Sequence, residues 1–280
     1  MEDLVLASSE ADAQAAERIV AHHAEMDGAL GLKVDLVTTA ARSTSTEAAM
    51  SARASLLEWC RELLVPHVRA AEETLCRAGA DITEARLLVE AMVVEHRIIA
   101  DLVEQIGRAD DGIEVALHTA ALRQLFATHL TKVNDQLVPL LVRHPGVSLA
   151  EVHHELVRLV GEARDAGPRI TDDGYGHPLP NVEATGEATG HEHGECGCGE
   201  RDVSGFPELD ARVVPHAIRH ATVFGALDAV RPGKALVLVA PHDPIPLLRQ
   251  LEGRQPGVFE VDYLQRGPED WRLLITRRPG

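Results

Sequence analysis

LVPHVRAAEETL (residues 64–75) and FATHLTKVNDQLVPLL (126–141) are the stretches that decide the fold. Each carries one histidine among apolar residues at helical spacing. His67 shares a stripe with Leu56, Cys60, Leu63, Ala71 and Thr74, and His129 shares one with His118, Leu122, Leu125, Val133, Leu137 and Leu140. Outward along the chain the arrangement recurs twice. Ile19, His23, Met26, Leu30 and Val34 line one face of a first helix, on which His22 falls outward with Arg18 and Glu25. Val89, Met92, His96, Ile99, Val103 and Ile106 form the stripe of a third. Capping signals at Thr44 with Glu47, at Asp81, at Asp111-Gly112 and at Ser148 with Glu151 separate four long helices and a shorter fifth. Short connections between long helices favour antiparallel neighbours, so residues 1–168 read as an all-α up-down four-helix bundle with a fifth helix.

A buried imidazole needs partners for both ring nitrogens, and an unpaired polar group costs on the order of 1–3 kcal/mol. A lone core histidine is usually a satisfied structural one. Four of them, on four stripes aimed at one buried point, are better explained by a shared metal, with carbonyls or carboxylates holding the outer nitrogens. The residues four places after His67 and His129 are Ala71 and Val133, which ligate nothing. Glu72 lies five places after His67, about 140° round a regular helix, and Asn134 and Asp135 point off the site in the same way. A bulge near Pro66, which has no N–H to give the helix, would swing Glu72 onto the site face. Without that carboxylate, one divalent ion among His23, His67, His96 and His129 suits the neutral donors, and zinc, ferrous iron or copper all accept imidazoles. Glu95, beside His96, reads as a solvated acid and His118 as an end-of-bundle histidine, the alternative for either being a partner that holds the outer nitrogen of a ligand histidine.

From Pro168 the pattern collapses into Gly, Pro and Thr with a tandem EATG at 183–190, which marks residues 169–206 as a linker. His191, His193, Cys196 and Cys198 lie within eight residues of it. Such donors suit Zn²⁺, Cu⁺ or an iron–sulfur cluster, so this is a candidate second metal site, with adventitious binding or a redox dithiol as the alternatives. Residues 207–280 alternate strand-like and helical runs: LDARVV (209–214), a helix near 217–230, 234–240, a helix after Asp243-Pro244, VFEVDYL (258–264) and WRLLITR (271–277). The order βαβαββ predicts a small two-layer α/β sandwich, making the chain multi-domain. Arg219, His220, His242 and Asp243 cluster at strand-to-helix junctions as a candidate anion or ligand pocket. Asp243 before Pro244 also has the form of an N-cap.

Charge narrows the partners. Residues 1–200 carry 16 Lys+Arg against 34 Asp+Glu, and residues 201–280 carry 11 against 10. An acidic bundle repels phosphate, so nucleic acid is not an expected partner. No apolar run approaches the roughly 20 residues of a membrane span. The acidic start MEDLVLASSEADAQ is not a secretory signal, and the four cysteines form no disulfide framework, so a cytoplasmic location is expected.

HHAEM (22–26), LVPHVRAAEETL (64–75), VEHRIIADL (94–102) and FATHLTKVNDQLVPLL (126–141) resemble the hemerythrin-like (HHE cation-binding) family, a likeness spanning residues 10–166. The resemblance implies a four-helix bundle with a non-haem, oxo-bridged di-iron centre. It also implies dioxygen binding, sensing of oxygen or iron, response to nitric oxide, or repair of iron–sulfur clusters. The family pattern is H, HxxxE, H, HxxxE, with the two carboxylates bridging the metals. Carried over, it makes His23, His67, His96 and His129 candidate ligands and puts Ala71 and Val133 in the bridging places.

LDAR (209–212), PHAIRH (215–220), RPGKALVLVAPHDPIPLL (231–248) and GPEDWRLLITR (267–277) resemble a domain of unknown function related to the SirA/TusA-like family. Sulfur carriers of that broader family use Cys-Pro after the first strand. Here Pro215-His216 stands there and no cysteine follows Cys198, so sulfur relay is not expected. Together these readings predict a cytoplasmic protein with mono- or dinuclear non-haem iron, or zinc or copper, in a histidine-rich, carboxylate-poor site. It would bind or sense O₂, NO or another small molecule, or handle iron, and signal through the linker and the C-terminal domain to a protein partner. The alternatives are an O₂-activating metal-dependent oxidoreductase and a metal-free scaffold, so whether the chain is an enzyme is left open.

Overall fold

The computed structural model describes residues 7, 9–43, 45–165, 206–215 and 218–279: helices in the first part, then a four-stranded sheet with two helices. α1 is Glu10–Arg42. The second rod, α2 (residues 46–80), runs through Thr46–Trp59, Cys60–Leu64, Val65–Ala71, Glu72–Cys76 and Arg77–Ala80 without leaving helical backbone. α3 is Arg86–Arg108. α4 (residues 112–143) joins Gly112–Lys132, Val133–Leu137 and Val138–Arg143, and α5 is Leu149–Asp165. The four long rods and the shorter fifth match the periodicity. None of the described helices is long and apolar enough to cross a membrane.

Most caps follow the sequence. Asp111 accepts the amides of Ile113 and Glu114, and the Ser148 hydroxyl accepts that of Glu151. α2 is capped by Ser45, which accepts the Ala48 amide, whereas Thr44 lies outside the described residues. Asp81 starts no helix: residues 81–85 form turns, and α3 begins at Arg86 behind Ala85, which makes no side-chain cap. The fifth helix is held by an element the local sequence does not reveal. Asp12 of α1, buried, accepts the Ala150 amide at 2.9 Å, and hydrogen bonds from Ser9 and Ala150 keep its carboxyl below the usual range.

Among the described residues three turns are π-helical: Cys60–Leu64, Glu72–Cys76 and Val133–Leu137. The first and third precede the two Leu-Val-Pro stretches. There Val65 and Val138 each donate to the carbonyl five residues back, Cys60 and Val133, just ahead of prolines 66 and 139 that have no N–H to give.

The bundle interior is layered. Ile19, Ala71, Leu75, Met92, Val133 and Leu137 belong to one apolar cluster, and Met26, Leu64, Ile99, Leu122, Phe126 and Leu130 to another. On every rod a histidine stands between them: His23 between Ile19 and Met26, His67 between Leu64 and Ala71, His96 between Met92 and Ile99, His129 between Phe126 and Val133. An imidazole layer is thus sealed between two hydrophobic plugs.

In the C-terminal part β1 is Glu208–Asp210, α6 Arg219–Asp228, β2 Ala235–Ala240, α7 Ile245–Arg254, β3 Phe259–Gln265 and β4 Trp271–Arg277. Sheet order is β1-β2-β4-β3, with β1 parallel to β2 and the other pairs antiparallel. This is the expected βαβαββ, except that β1 ends at Asp210 rather than Val214. Asp210 accepts the Arg212 amide at 2.9 Å, a side-chain turn that breaks the strand. Val223, Phe224 and Leu227 of α6 and Leu247 and Leu251 of α7 pack on Leu236, Leu238, Leu273 and Ile275, giving two layers.

Leu32 and Leu36 of α1 join that same cluster, so α1 is apolar on two faces. α6 crosses α1 with backbones in close approach. A Cβ on Gly28 would fall on the Thr222 carbonyl, and one on Gly225 on the Glu25 carbonyl. An ion pair from Arg254 to Glu25 at 3.1 Å and a bond from Arg231 to Ser51 at 3.0 Å flank the crossing.

Candidate metal centre

His23, His67, His96 and His129 are each no more than 4 % exposed. The expected convergence on one point is not what the fold delivers. The rings form two groups facing a common interior. His67 stands 5.2 Å from His23 and 5.1 Å from His22 between ring centroids, and His96 stands 4.8 Å from His129. Among the described residues no three His, Cys, Asp or Glu side chains close on a single position. The reason is geometric: a stripe fixes the direction of a side chain about its own helix axis, whereas helix spacing fixes how far apart the tips stop.

Three of the four histidines are held at Nδ1. His129 Nδ1 donates to Glu95 Oε2 at 2.9 Å, His96 Nδ1 to Glu72 Oε2 at 3.3 Å, and His23 Nδ1 to Asn134 Oδ1 at 2.6 Å. A carboxylate or amide oxygen can only accept, so each of these Nδ1 atoms carries the proton and each Nε2 presents a lone pair. The two Nε2 atoms of His96 and His129 face each other at 3.3 Å, and the buried Nδ1 of His67 has no partner among the described residues. Two lone pairs at that distance repel unless something positive lies between them. Nitrogens bound to one ion at about 2.0–2.1 Å would subtend roughly 105–110° at this separation, near the tetrahedral value. The donor set therefore fits a cation that takes neutral imidazoles.

Protons do not fill that role readily. Burial pushes His23 down to about 3 and His96 to about 4, the latter also by the neighbouring His129 and against the pull of Glu72. Burial likewise lowers His22, His129 and, well below its ordinary value, His67. Burial raises the Glu95 carboxyl, but the bonds from Lys132 and His129 outweigh it and hold it lower. A pH dependence follows. Between the depressed folded values and the ordinary histidine value near 6.5, the unfolded chain binds more protons, so stability rises with pH through that window. Each such histidine contributes a slope of up to about 1.4 kcal/mol per pH unit. Metal-free protein is expected to lose unfolding temperature steadily from pH 7 to pH 5. A flat or rising profile there would contradict a neutral histidine layer.

The residues five places after His67 and His129 are turned toward other rods. Glu72 begins one π turn and Asn134 lies in another, and each reaches a histidine of a different rod. The bulge expected between His67 and Glu72 is not found: Val65–Ala71 is α-helical, the Glu72 amide bonds the Val68 carbonyl four residues back, and the π turn follows Glu72. The half-exposed Glu72 carboxylate meets the outer nitrogen of His96, not its inner one. Ala71 and Val133 are buried in the apolar plug. Glu95 takes its alternative reading: it is buried and paired with His129 and Lys132, not a solvated acid. Two residues escaped the sequence reading. Asn134 was expected to point away. His22, expected to face outward, lies against His67; the only signal for it was the His-His pair itself.

Outside the bundle, Arg219, His220 and His242 line a cavity of about 60 Å³ beside α6 and α7. Arg219 donates to the Val214 carbonyl and His220 pairs with Gln250. Asp243 does not join them and caps no helix: it accepts the Tyr263 hydroxyl at 2.8 Å, and Pro244 stands at the cap of α7. His191, His193, Cys196 and Cys198 lie outside the described residues. Cys60 and Cys76 are buried free thiols, both pushed up to about 12 by burial.

Residues 14–141 match the family model of the Hemerythrin HHE cation binding domain. Residues 208–277 match that of an uncharacterized conserved protein (DUF2249). Searches of curated proteins and of solved structures returned no match.

Proposed function

We propose, from the match of residues 14–141 to the hemerythrin HHE cation-binding domain, that the chain is a cytoplasmic non-haem iron protein that binds or senses a diatomic ligand, O₂ or NO. His96 and His129 would hold the metal through their facing Nε2 atoms, with His23 and His67, a separate pair of rings, as its further candidate ligands. The observation that carries the reading is the facing pair of Nε2 atoms at 3.3 Å with both outer nitrogens already bound to carboxylates. Partners of that kind orient metal-bound histidines and raise their basicity. The metal supplies the site for the diatomic. The chain's own residues supply neutral nitrogen donors and, through the two apolar plugs, exclusion of water.

Among the described residues no carboxylate stands on the inner side of this layer, so an ion of low charge suits it better than two ferric ions, whose positive charge would be uncompensated. The route to the C-terminal domain is direct contact. His22 and His23 precede Glu25 and Gly28 on the same helix, where α6 and Arg254 are docked. A change in the position of α1 at the histidine layer is transmitted to the α/β domain as a rigid displacement.

Elemental analysis of anaerobically purified protein, with absorption spectra before and after NO or O₂, tests the reading. Stoichiometric iron and a spectral change on NO are expected. Stoichiometric zinc or copper would overturn the iron assignment, iron without a spectral response would overturn diatomic binding, and absence of any metal would leave a scaffold.

A further inference from the structure

α3 has an apolar stripe on the face opposite the histidine layer. Leu87 is 75 % exposed, Val94 50 % and Ile98 44 %, and Ala91 is exposed between them. The spacing is 0, 4, 7 and 11, the pattern that keeps apolar residues on one seam of a paired helix. A single exposed leucine needs no explanation, whereas a continuous seam does. Nothing among the described residues covers it.

Charge identifies the occupant. Glu90 and Arg97 flank the seam on one side, two turns apart, exposed and without an ion pair among the described residues. Place a second α3 antiparallel to the first, with a two-fold axis passing between Ala91 and Val94. Leu87 then meets Ile98 of the other copy, and Ala91 meets Val94, the small residue admitting the larger one. On the flank, Glu90 meets Arg97 and Arg97 meets Glu90. In antiparallel helix pairs these are the positions that set partner and orientation, and a two-fold contact requires the surface to complement itself in this way. A parallel pairing would instead set Glu90 against the opposite flank of the other copy, Leu88 and Glu95, where no basic residue stands.

We propose that this chain self-associates through α3, two copies pairing antiparallel along Leu87, Ala91, Val94 and Ile98 with reciprocal Glu90–Arg97 ion pairs. The inference is independent of what the histidine layer binds. A one-helix seam is smaller than the standard interface of roughly 1,600 Å², so association belongs at roughly 1 μM to 1 mM, not in the nanomolar range.

Sedimentation equilibrium of the full chain over that concentration range tests it. The wild type is expected to pass from monomer to dimer. Val94→Glu abolishes the transition, and Glu90→Arg or Arg97→Glu alone weakens it about tenfold or more by opposing like charges. An equimolar mixture of the two charge variants restores it, since Glu90→Arg then faces Arg97→Glu, and so does the double exchange within one chain. All the positions are solvent-exposed, and unchanged circular dichroism certifies the fold. A wild type that stays monomeric throughout would overturn the proposal, and so would a dimer indifferent to Val94→Glu or to the charge exchanges, including one formed with another part of the chain.

Discussion

Alanine at both His96 and His129 is expected to leave the protein without stoichiometric metal. These are the two imidazoles whose Nε2 atoms face each other at 3.3 Å, so the double variant removes both lone pairs of the one closely approached donor pair. Metal content measured by elemental analysis should drop to below about a tenth of the wild-type value, whereas Glu95→Ala, which removes only the partner of an outer nitrogen, should weaken affinity by about 10–100-fold. The order of the two effects is the informative part. If Glu95→Ala were as damaging as the histidine pair, the carboxylate would be a ligand and the inner side of the layer less carboxylate-poor than its geometry indicates. The same double variant has a second readout without metal. Two of the buried neutral histidines are gone, so the loss of stability between pH 7 and pH 5 becomes shallower. Unchanged metal content in the double variant would remove this layer as the binding site.

Gly225→Leu is expected to separate the two domains. A side chain at Gly225 has nowhere to go, because the Glu25 backbone occupies the position of its Cβ, and a backbone carbonyl cannot step aside as a side-chain tip can. Overpacking in a core costs about 1–3 kcal/mol where side chains can yield, and here the cost should reach about 3 kcal/mol or more. The helices must move apart, which exposes Leu32 and Leu36 of α1 and breaks the Arg254–Glu25 pair. Small-angle scattering should show a larger radius of gyration, and limited proteolysis should release the α/β domain from the bundle. Gly253→Ala in α7, where a Cβ would meet nothing within 4 Å, serves as the matched control and should leave both unchanged. Because the histidine layer sits on the other face of α1, Gly225→Leu should retain stoichiometric metal. A compact, protease-resistant Gly225→Leu protein would show that the crossing does not hold the domains together.

Much of this was legible in the sequence. Periodicity put His23, His67, His96 and His129 on inward faces, and all four are buried. It also showed that the +4 positions, Ala71 and Val133, hold no ligand, and both turned out to be plug residues. The alternation of short strands and helices after residue 207 predicted the βαβαββ order. Periodicity gives a direction about one helix axis and no neighbour. It turned Glu72 and Asn134 off the site without showing that His96 and His23 of other rods stand there to meet them. Glu95 looked solvated because it sits at the edge of its stripe. Only the proximity of α4 makes that edge interior.

The sequence by itself determined which side chains point into the bundle, because direction about a helix axis is a local property of spacing. Only the tertiary structure decided what they meet. Whether the imidazoles form one group or two, which nitrogen each carboxylate takes, and that Gly28 and Gly225 let two backbones touch all depend on distances between helix axes. Those distances are set by the packing of residues far apart in the chain, and no local pattern encodes them.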